Sequence, residues 1–235
     1  MLDRRWRKSV EQSLGPLGDG LRRIGVTADA LTVFGLLCSL GTAVLIATGH
    51  LGWAVLGVIV SGVSDLLDGA IARGSGQASP RGAFFDSVAD RVSDMLLLGG
   101  CAWYLVGAES PYYAFLAFGV AGFSTMISYE RARAEALGLD ARGGLMERAE
   151  RFVFLGVGLA FGILVPVLWI MLVLTGFTAI QRFVKVYRLA GRPPRPAHKR
   201  VDRPVTPLRT WWITRRDEST RARSRPRSER RSSRP

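Results

Sequence analysis

Between Asp65 and Asp94 the chain reads DLLDGAIARGSGQASPRGAFFDSVADRVSD, five carboxylates and three arginines set between long apolar segments. Asp65 and Asp68 are three residues apart, and Asp86 and Asp90 are four apart. On helices both spacings stack the pair on one face, one turn apart. Left alone, four converging carboxylates would repel one another and stay partly protonated. With divalent cations they form an oxygen-ligand site suited to magnesium or manganese. Two such ions can stabilise the attacking and leaving oxygens of a displacement at phosphorus. The competing reading pairs the acids with Arg73, Arg81 and Arg91, but acids at helical spacing on two linked helices exceed what three arginines need. Asp94 extends the same helical face and reads as structural.

The elements that must present these acids are membrane helices. Hydrophobic residues make up 48 % of the 235-residue chain. They arrive as runs: LTVFGLLCSLGTAVLIATG, GWAVLGVIVSGVSDLL, AFFDSVADRVSDMLLLGGCAWYLV, YYAFLAFGVAGFSTMI and FVFLGVGLAFGILVPVLWIMLVLTGFTAI. A helix of about 20 apolar residues crosses the hydrocarbon, where an ionised side chain costs at least about 2.5–3.5 kcal/mol unless it works or pairs. The expected fold class is all-α, a polytopic membrane protein with six transmembrane helices preceded by an amphipathic interfacial helix. Spans over about 28–48, 53–73, 83–106 and 111–133 put every basic segment on one side. The turns at Gly49–Gly52 and Gly107–Pro111 carry no Lys or Arg and fall on the other. Residues 152–181 would run about 45 Å as one helix, too long for a core of about 30 Å. They read as a hairpin of two short spans turning near Pro166. The acid-bearing helix ends then face the cytoplasm from a multi-pass plasma-membrane protein.

Three segments follow from composition. Residues 1–25 are polar and basic without a signal-peptide pattern, and Trp6, Val10, Leu14 and Leu17 recur at near-helical spacing, as on a helix lying along the membrane surface. Residues 26–190 form the six-span domain. From Gly191 onward there are 15 Lys+Arg against 4 Asp+Glu, which supplies eleven of the thirteen net positive charges. That Arg-, Pro- and Ser-rich stretch cannot bury enough surface to fold. It reads as a basic cytoplasmic tail over 191–235, attracted to anionic lipid rather than to nucleic acid. Cys38 and Cys101 fall inside apolar runs and read as small packing residues.

The run Asp65-Leu-Leu-Asp68-Gly69-Ala-Ile-Ala72-Arg73, then eight residues, then Gly82-Ala-Phe-Phe-Asp86-Ser-Val-Ala-Asp90 resembles the signature of the CDP-alcohol phosphatidyltransferases. The resemblance covers about residues 20–190. It implies transfer of a phosphatidyl group from CDP-diacylglycerol to an alcohol with release of CMP, two Mg2+ ions (or Mn2+) and a homodimer. By the same resemblance Asp65, Asp68 and Asp86 hold the first metal, Asp65, Asp86 and Asp90 the second, and Asp90 is the general base. Gly69 would let backbone approach the nucleotide, and Arg73 and Ser79 would contact the cytidine diphosphate. Asp29, Ala30, Leu31 and Thr32 stand where the family commonly has a nucleotide-contacting segment, with Ala28 in the place of its proline.

A second cluster bears on the acceptor. Ser128, Tyr129, Arg131 and Arg133 close one apolar run, and Arg148, Arg151 and Arg182 follow on the same predicted side. Guanidinium groups beside a metal site suit a phosphorylated acceptor, because Arg meets phosphate oxygens bidentately. Positive-inside anchoring explains an excess of Arg but not its repetition at helix ends around one mouth. These segments are similar to those of the actinobacterial branch of the family that makes phosphatidylinositol phosphate. That similarity implies inositol 1-phosphate (1D-myo-inositol 3-phosphate) as acceptor, with Arg131, Arg148, Arg151 and Arg182 on its phosphate and Ser128, Tyr129 and Arg133 nearby. Glycerol 3-phosphate is the alternative acceptor. A divalent-cation transporter is the alternative class, although acids clustered at one membrane face do not match the midplane sites of transporters.

The tail generates a first test. Ending the chain near Gly191 should leave specific activity unchanged while weakening binding to anionic vesicles; a well-folded truncated protein with reduced turnover would refute this.

Overall fold

Thr27 and Ser79 each stand just before an apolar run, and each begins a helix with its hydroxyl. In the computed structural model Thr27 Oγ1 accepts from the Ala30 N–H at 3.2 Å, and Ser79 Oγ accepts from the Gly82 N–H at 3.0 Å with Pro80 opening the helix. Both caps satisfy donors that the first turn leaves without intrahelical partners. The structure describes residues 25–74, 79–141 and 143–191, with Gly20 and Arg23 before them; at Ala70 and residues 72–74 only the backbone is described. Apart from Gly20, Arg23 and Gly25, the expected interfacial helix over 1–25, with Trp6, Val10, Leu14 and Leu17, lies outside these residues, as does the tail beyond Gly191.

Among the described residues the chain is all-α, without a strand. Six helices follow one another: α1 (Ala28–Ala47), α2 (Leu51–Gly74), α3 (Pro80–Ala108), α4 (Ala114–Ala136), α5 (Arg148–Ala160) and α6 (Leu164–Ala190), with a 3-10 turn at Pro111–Tyr113 before α4. Three of them, α1, α2 over Leu51–Gly69 and α6, are long and apolar enough to cross a membrane. Neighbours pair in the order α1–α2, α2–α5, α5–α6, α6–α4, α4–α3 and α3–α1, which closes the helices into a ring. Inside it Ile46, Leu97, Leu105, Val120, Met146 and Leu168 are almost wholly buried. Outside it large apolar side chains such as Leu37, Trp53, Trp103, Phe118 and Ile180 are exposed. A continuous apolar exterior of this kind suits lipid and not water.

Small and hydroxylated residues share the inner faces with this apolar core. Ser39, Thr42, Ser124, Thr175 and Thr178 are buried, and each donates to the carbonyl one turn back. The bond removes the penalty of an unpaired hydroxyl in an apolar interior. Ser39 Oγ also meets Ser61 Oγ across the α1–α2 seam at 2.6 Å. Such residues let backbones approach closely. The backbone of α3 comes close to that of α1, where a Cβ built on Gly100 would lie 2.6 Å from the Ala43 carbonyl oxygen.

The last apolar run divides differently from the expectation. Its break falls at Phe161–Ile163, with Gly162 at φ +67°, and its arms are unequal, 13 residues in α5 and 27 in α6. Glycine takes the left-handed turn without a steric penalty. Pro166 sits in the first turn of α6, where a missing N–H costs nothing because that donor has no intrahelical acceptor anyway.

Gly100→Val should lower the thermal midpoint in detergent, as overpacking typically costs about 1–3 kcal/mol. Gly99→Val next to it should not, since a Cβ there has nothing within 4 Å. Equal melting curves for the two variants would contradict the close α1–α3 seam.

Candidate active site

Two helices supply the acids and a third steadies one of them. Asp65 and Asp68 lie one turn apart on α2, and Asp86 and Asp90 one turn apart on α3. Both helices pack on α1. One carboxylate oxygen from each of Asp65, Asp68 and Asp86 lies within 4.8 Å of the others. Asp68 is buried and accepts from Thr32 Oγ1 of α1 at 2.9 Å. The Asp86 Oδ1 atom is buried and has no hydrogen-bond partner. Three converging carboxylates with an orphaned oxygen fit a hard divalent cation, which takes oxygen ligands from carboxylates.

Asp90 is reached from the other arc of the ring. Glu147 and Glu150 form a reciprocal capping box that starts α5, with the Glu147 N–H donating to Glu150 Oε2 at 3.2 Å. Arg148 is therefore the first helical residue, and its Nη1 bonds both Asp65 Oδ1 and Asp90 Oδ1. Its guanidinium also lies 5.1 Å from the centre of the Phe152 ring, a cation–π contact. One turn along α5, buried Arg151 bonds Asp94 through Nη2 at 2.5 Å, while Arg148 Nε stands 3.7 Å from the other Asp94 oxygen. Asp94 thus has a structural partner, in line with its place outside the signature.

The arginine that meets the acids is therefore not among those nearest in sequence. Arg91 donates to the Ser87 carbonyl, Arg81 is exposed, and the Arg73 side chain lies outside the described residues. Arg182, on α6, is buried and donates to the carbonyls of Ile127 at 3.0 Å and Gly143 at 2.9 Å, fastening α6 to α4 and to the segment before α5. Arg131 is exposed and pairs with Glu135 at 3.0 Å, a surface i,i+4 pair of small energetic weight. The acid cleft is lined by Thr32, Ser61, Asp65, Asp68, Asp86, Asp90, Ser93 and Arg148 among others. Ser128, Tyr129, Arg131 and Arg133 do not belong to that lining, and Tyr129 instead lines an apolar cleft of about 720 Å³ between α3 and α4.

The segments expected to touch the nucleotide come together at the start of α1 and α3. A Cβ on Gly82 would meet Ser79 Oγ at 3.3 Å and Asp29 Oδ1 at 3.5 Å, so Asp29 and Ser79 flank the same glycine. Ala30 and Leu31 follow on the first turn of α1, and Gly69 is half-buried on α2. Thr32, expected beside the nucleotide, also donates to the Asp68 carboxylate. Spacing within α1 could not reveal this, since Asp68 is 36 residues away.

Comparison with known proteins matches this geometry to a family. A family model described as CDP-alcohol phosphatidyltransferase matches residues 25–181. The chain belongs to that family. Among relatives of this CDP-alcohol phosphatidyltransferase is a phosphatidylinositol phosphate synthase from Mycobacteroides abscessus, 37 % identical over 196 residues, which cover 79 % of this chain and 88 % of the relative. An archaetidylinositol phosphate synthase from Methanothermobacter thermautotrophicus is 31 % identical over 191 residues, 78 % of this chain and 93 % of the relative. The crystal structure of Mycobacterium tuberculosis phosphatidylinositol phosphate synthase with CDP-DAG bound is similar at TM-score 0.69 and 31 % identity, covering 74 % of this chain and 92 % of that one. The same enzyme in complex with manganese and citrate gives TM-score 0.68, covering 73 % and 88 %. The CDP-alcohol phosphatidyltransferase is thus a metal-binding transferase of phospholipid biosynthesis with membrane helices, and group transfer prevails over cation transport.

Loss of the hydroxyl behind a metal ligand typically costs 10- to 100-fold in metal affinity. Thr32→Val should accordingly raise the Mn2+ concentration for half-maximal activity by roughly tenfold or more, with Thr32→Ser restoring most of it. A Val variant with an unshifted metal titration would detach Thr32 from the acid cluster.

Proposed function

We propose that this enzyme transfers the phosphatidyl group of CDP-diacylglycerol to the hydroxyl of a phosphorylated polyol, inositol 1-phosphate, giving phosphatidylinositol phosphate and CMP. One observation carries the acceptor reading. Arg148, Arg151 and Arg182 each keep a buried Nε–H without a hydrogen-bond partner, and Arg148 bonds two of the acids that would handle the donor. Buried donors are nearly always satisfied, and a phosphate is the acceptor that guanidinium forks match best. The relatives named phosphatidylinositol phosphate synthase support the same reading.

Asp65, Asp68 and Asp86 would hold one divalent ion, magnesium or manganese, and Asp65, Asp86 and Asp90 a second. Such ions neutralise the diphosphate and polarise the phosphorus under attack. Asp29, Ser79 and Arg73 flank the nucleotide, with Ala30 and Leu31 beside them, and Gly69 leaves room for its approach. Asp90 takes the proton of the attacking hydroxyl. An alcohol proton becomes acidic only in the transition state, so a carboxylate of ordinary basicity suffices. Arg148 and Arg151 bind the acceptor phosphate from the α5 side, and Arg182 supports them from α6. Arg131, Arg133, Ser128 and Tyr129, at the end of α4, form the outer approach for the acceptor.

The reading extends to topology. All six helices cross the plasma membrane, with the acid-bearing ends toward the cytoplasm, in a domain over 26–190 that follows an interfacial helix and precedes a basic tail. The resemblance also supports a homodimer, open to test by mass measurement in nanodiscs.

The deciding experiment is an acceptor panel with labelled CDP-diacylglycerol. Inositol 1-phosphate should give labelled lipid far faster than glycerol 3-phosphate or free inositol. Equal rates with free inositol would show that the arginines serve topology and not acceptor choice. Asp90→Asn should lose about 10²- to 10⁴-fold in rate, as expected for a missing general base; retention of a tenth of wild-type rate would assign the proton elsewhere.

A further inference from the structure

The two carboxylates that Arg148 bridges are not an arbitrary pair. Asp65 and Asp90 are two of the carboxylates proposed above for the second divalent ion, whereas Asp68, proposed only for the first, is met by the neutral Thr32 hydroxyl. The Arg148 guanidinium stands where positive charge is needed between α2 and α3. Its Nε is buried without a partner, and Asp94 is 3.7 Å beyond it with Arg151 alongside. The side chain therefore faces two carboxylates on α3 one turn apart, Asp90 bonded through Nη1 and Asp94 at 3.7 Å from Nε. An arginine stem can swing between positions so closely spaced.

We infer that Arg148 is an exchangeable cation, alternating between Asp65 and Asp90 on one side and Asp94 with a bound phosphate on the other, so that loading of the second metal position and capture of the acceptor phosphate are linked. This rests on the ligand roles proposed above for the four acids. A divalent ion drawing on Asp65 and Asp90 adds positive charge beside the guanidinium that bonds one oxygen of each, and the two like charges repel across the shared carboxylates. Displacement turns the guanidinium toward Asp94 and Arg151, where its fork becomes free for an anion. Linkage is reciprocal: if the ion helps the anion by some factor, the anion helps the ion by the same factor. By the same linkage the second metal position is held most tightly when the acceptor phosphate is bound, so full activation of the phosphorus coincides with an acceptor ready to attack.

The test counts Mn2+ bound to the full chain in nanodiscs, by electron paramagnetic resonance of the free ion, with sulfate as the probe for a phosphate group. In wild type, sulfate should tighten the weaker of two Mn2+ sites at ionic strength matched with NaCl. Arg148→Gln should tighten that weaker site roughly tenfold or more without sulfate, as expected when a charged hydrogen-bonded competitor is removed. It should leave the tighter site unchanged and abolish the sulfate effect. A weaker site that is unchanged or loosened in Arg148→Gln would overturn the exchange. Should the variant fail to fold, the wild-type sulfate arm decides alone, and no effect of sulfate there refutes the linkage. If wild type binds no Mn2+ at all, the metal roles of the acids fall and the exchange falls with them; if Mn2+ binds but ignores both perturbations, only the exchange falls.

Discussion

Like charge held at close quarters in an apolar ring is the constraint from which the rest of the structure follows. Asp65, Asp68 and Asp86 bring oxygens within 4.8 Å of one another, and Asp90 joins them through a shared guanidinium. Taking such groups out of water costs several kcal/mol each unless positive charge and hydrogen bonds answer them. The answers come from three sides: a hydroxyl on α1, a guanidinium on α5, and the oxygen-binding cations that the cluster suits. Each demands a rigid support. That explains the hydroxyl-lined seam between α1 and α2, the glycine-tight seam between α1 and α3, and a capping box that begins α5 at the very residue the acids need.

Much of the scaffold is legible in the residues themselves. The first four helices lie within three residues of the ends expected from their apolar runs, because Thr27, Ser79 and Pro80 give recognisable starts and the glycine at 49 gives a recognisable turn. The acid pairs are equally legible, since three- and four-residue spacings mean one thing on a helix. The hairpin turn was harder. Proline is the stronger breaker in a helix interior, but Pro166 is not interior, and the left-handed Gly162 makes the turn instead. Least legible were the partners. Arg148 reaches Asp65 from 83 residues away, and nothing in either neighbourhood marks the contact. Arg182 looks from sequence like a phosphate ligand, yet two of its nitrogens are committed to backbone carbonyls that close the ring. A long side chain can serve packing and chemistry from the same position, and its spacing does not say which.

The exterior, not the core, departs from that of a water-soluble helical protein. Aromatic and branched aliphatic residues cover the outside, and buried serines and threonines sit among the apolar residues within. The inner hydroxyls are satisfied within their own helices, so the ring does not depend on a particular partner across the seam to avoid an unpaired group. Cross-seam bonds such as Ser39 to Ser61 then add specificity of register.

The order of helices around the ring divides the molecule into two arcs. One, α2–α1–α3, carries every acid of the signature; the other, α5–α6–α4, carries the arginines proposed to read the acceptor. Descent with modification can therefore work on the arcs separately. A lineage could acquire a taste for a different polyol through changes confined to α4–α6, while the reaction centre is inherited untouched, much as new functions are grafted onto a constant fold. Arg148 and Arg151 straddle this seam, and there such divergence would meet its limit: any recombinant of two relatives joined between the arcs must keep both side chains matched to the acids of its other parent.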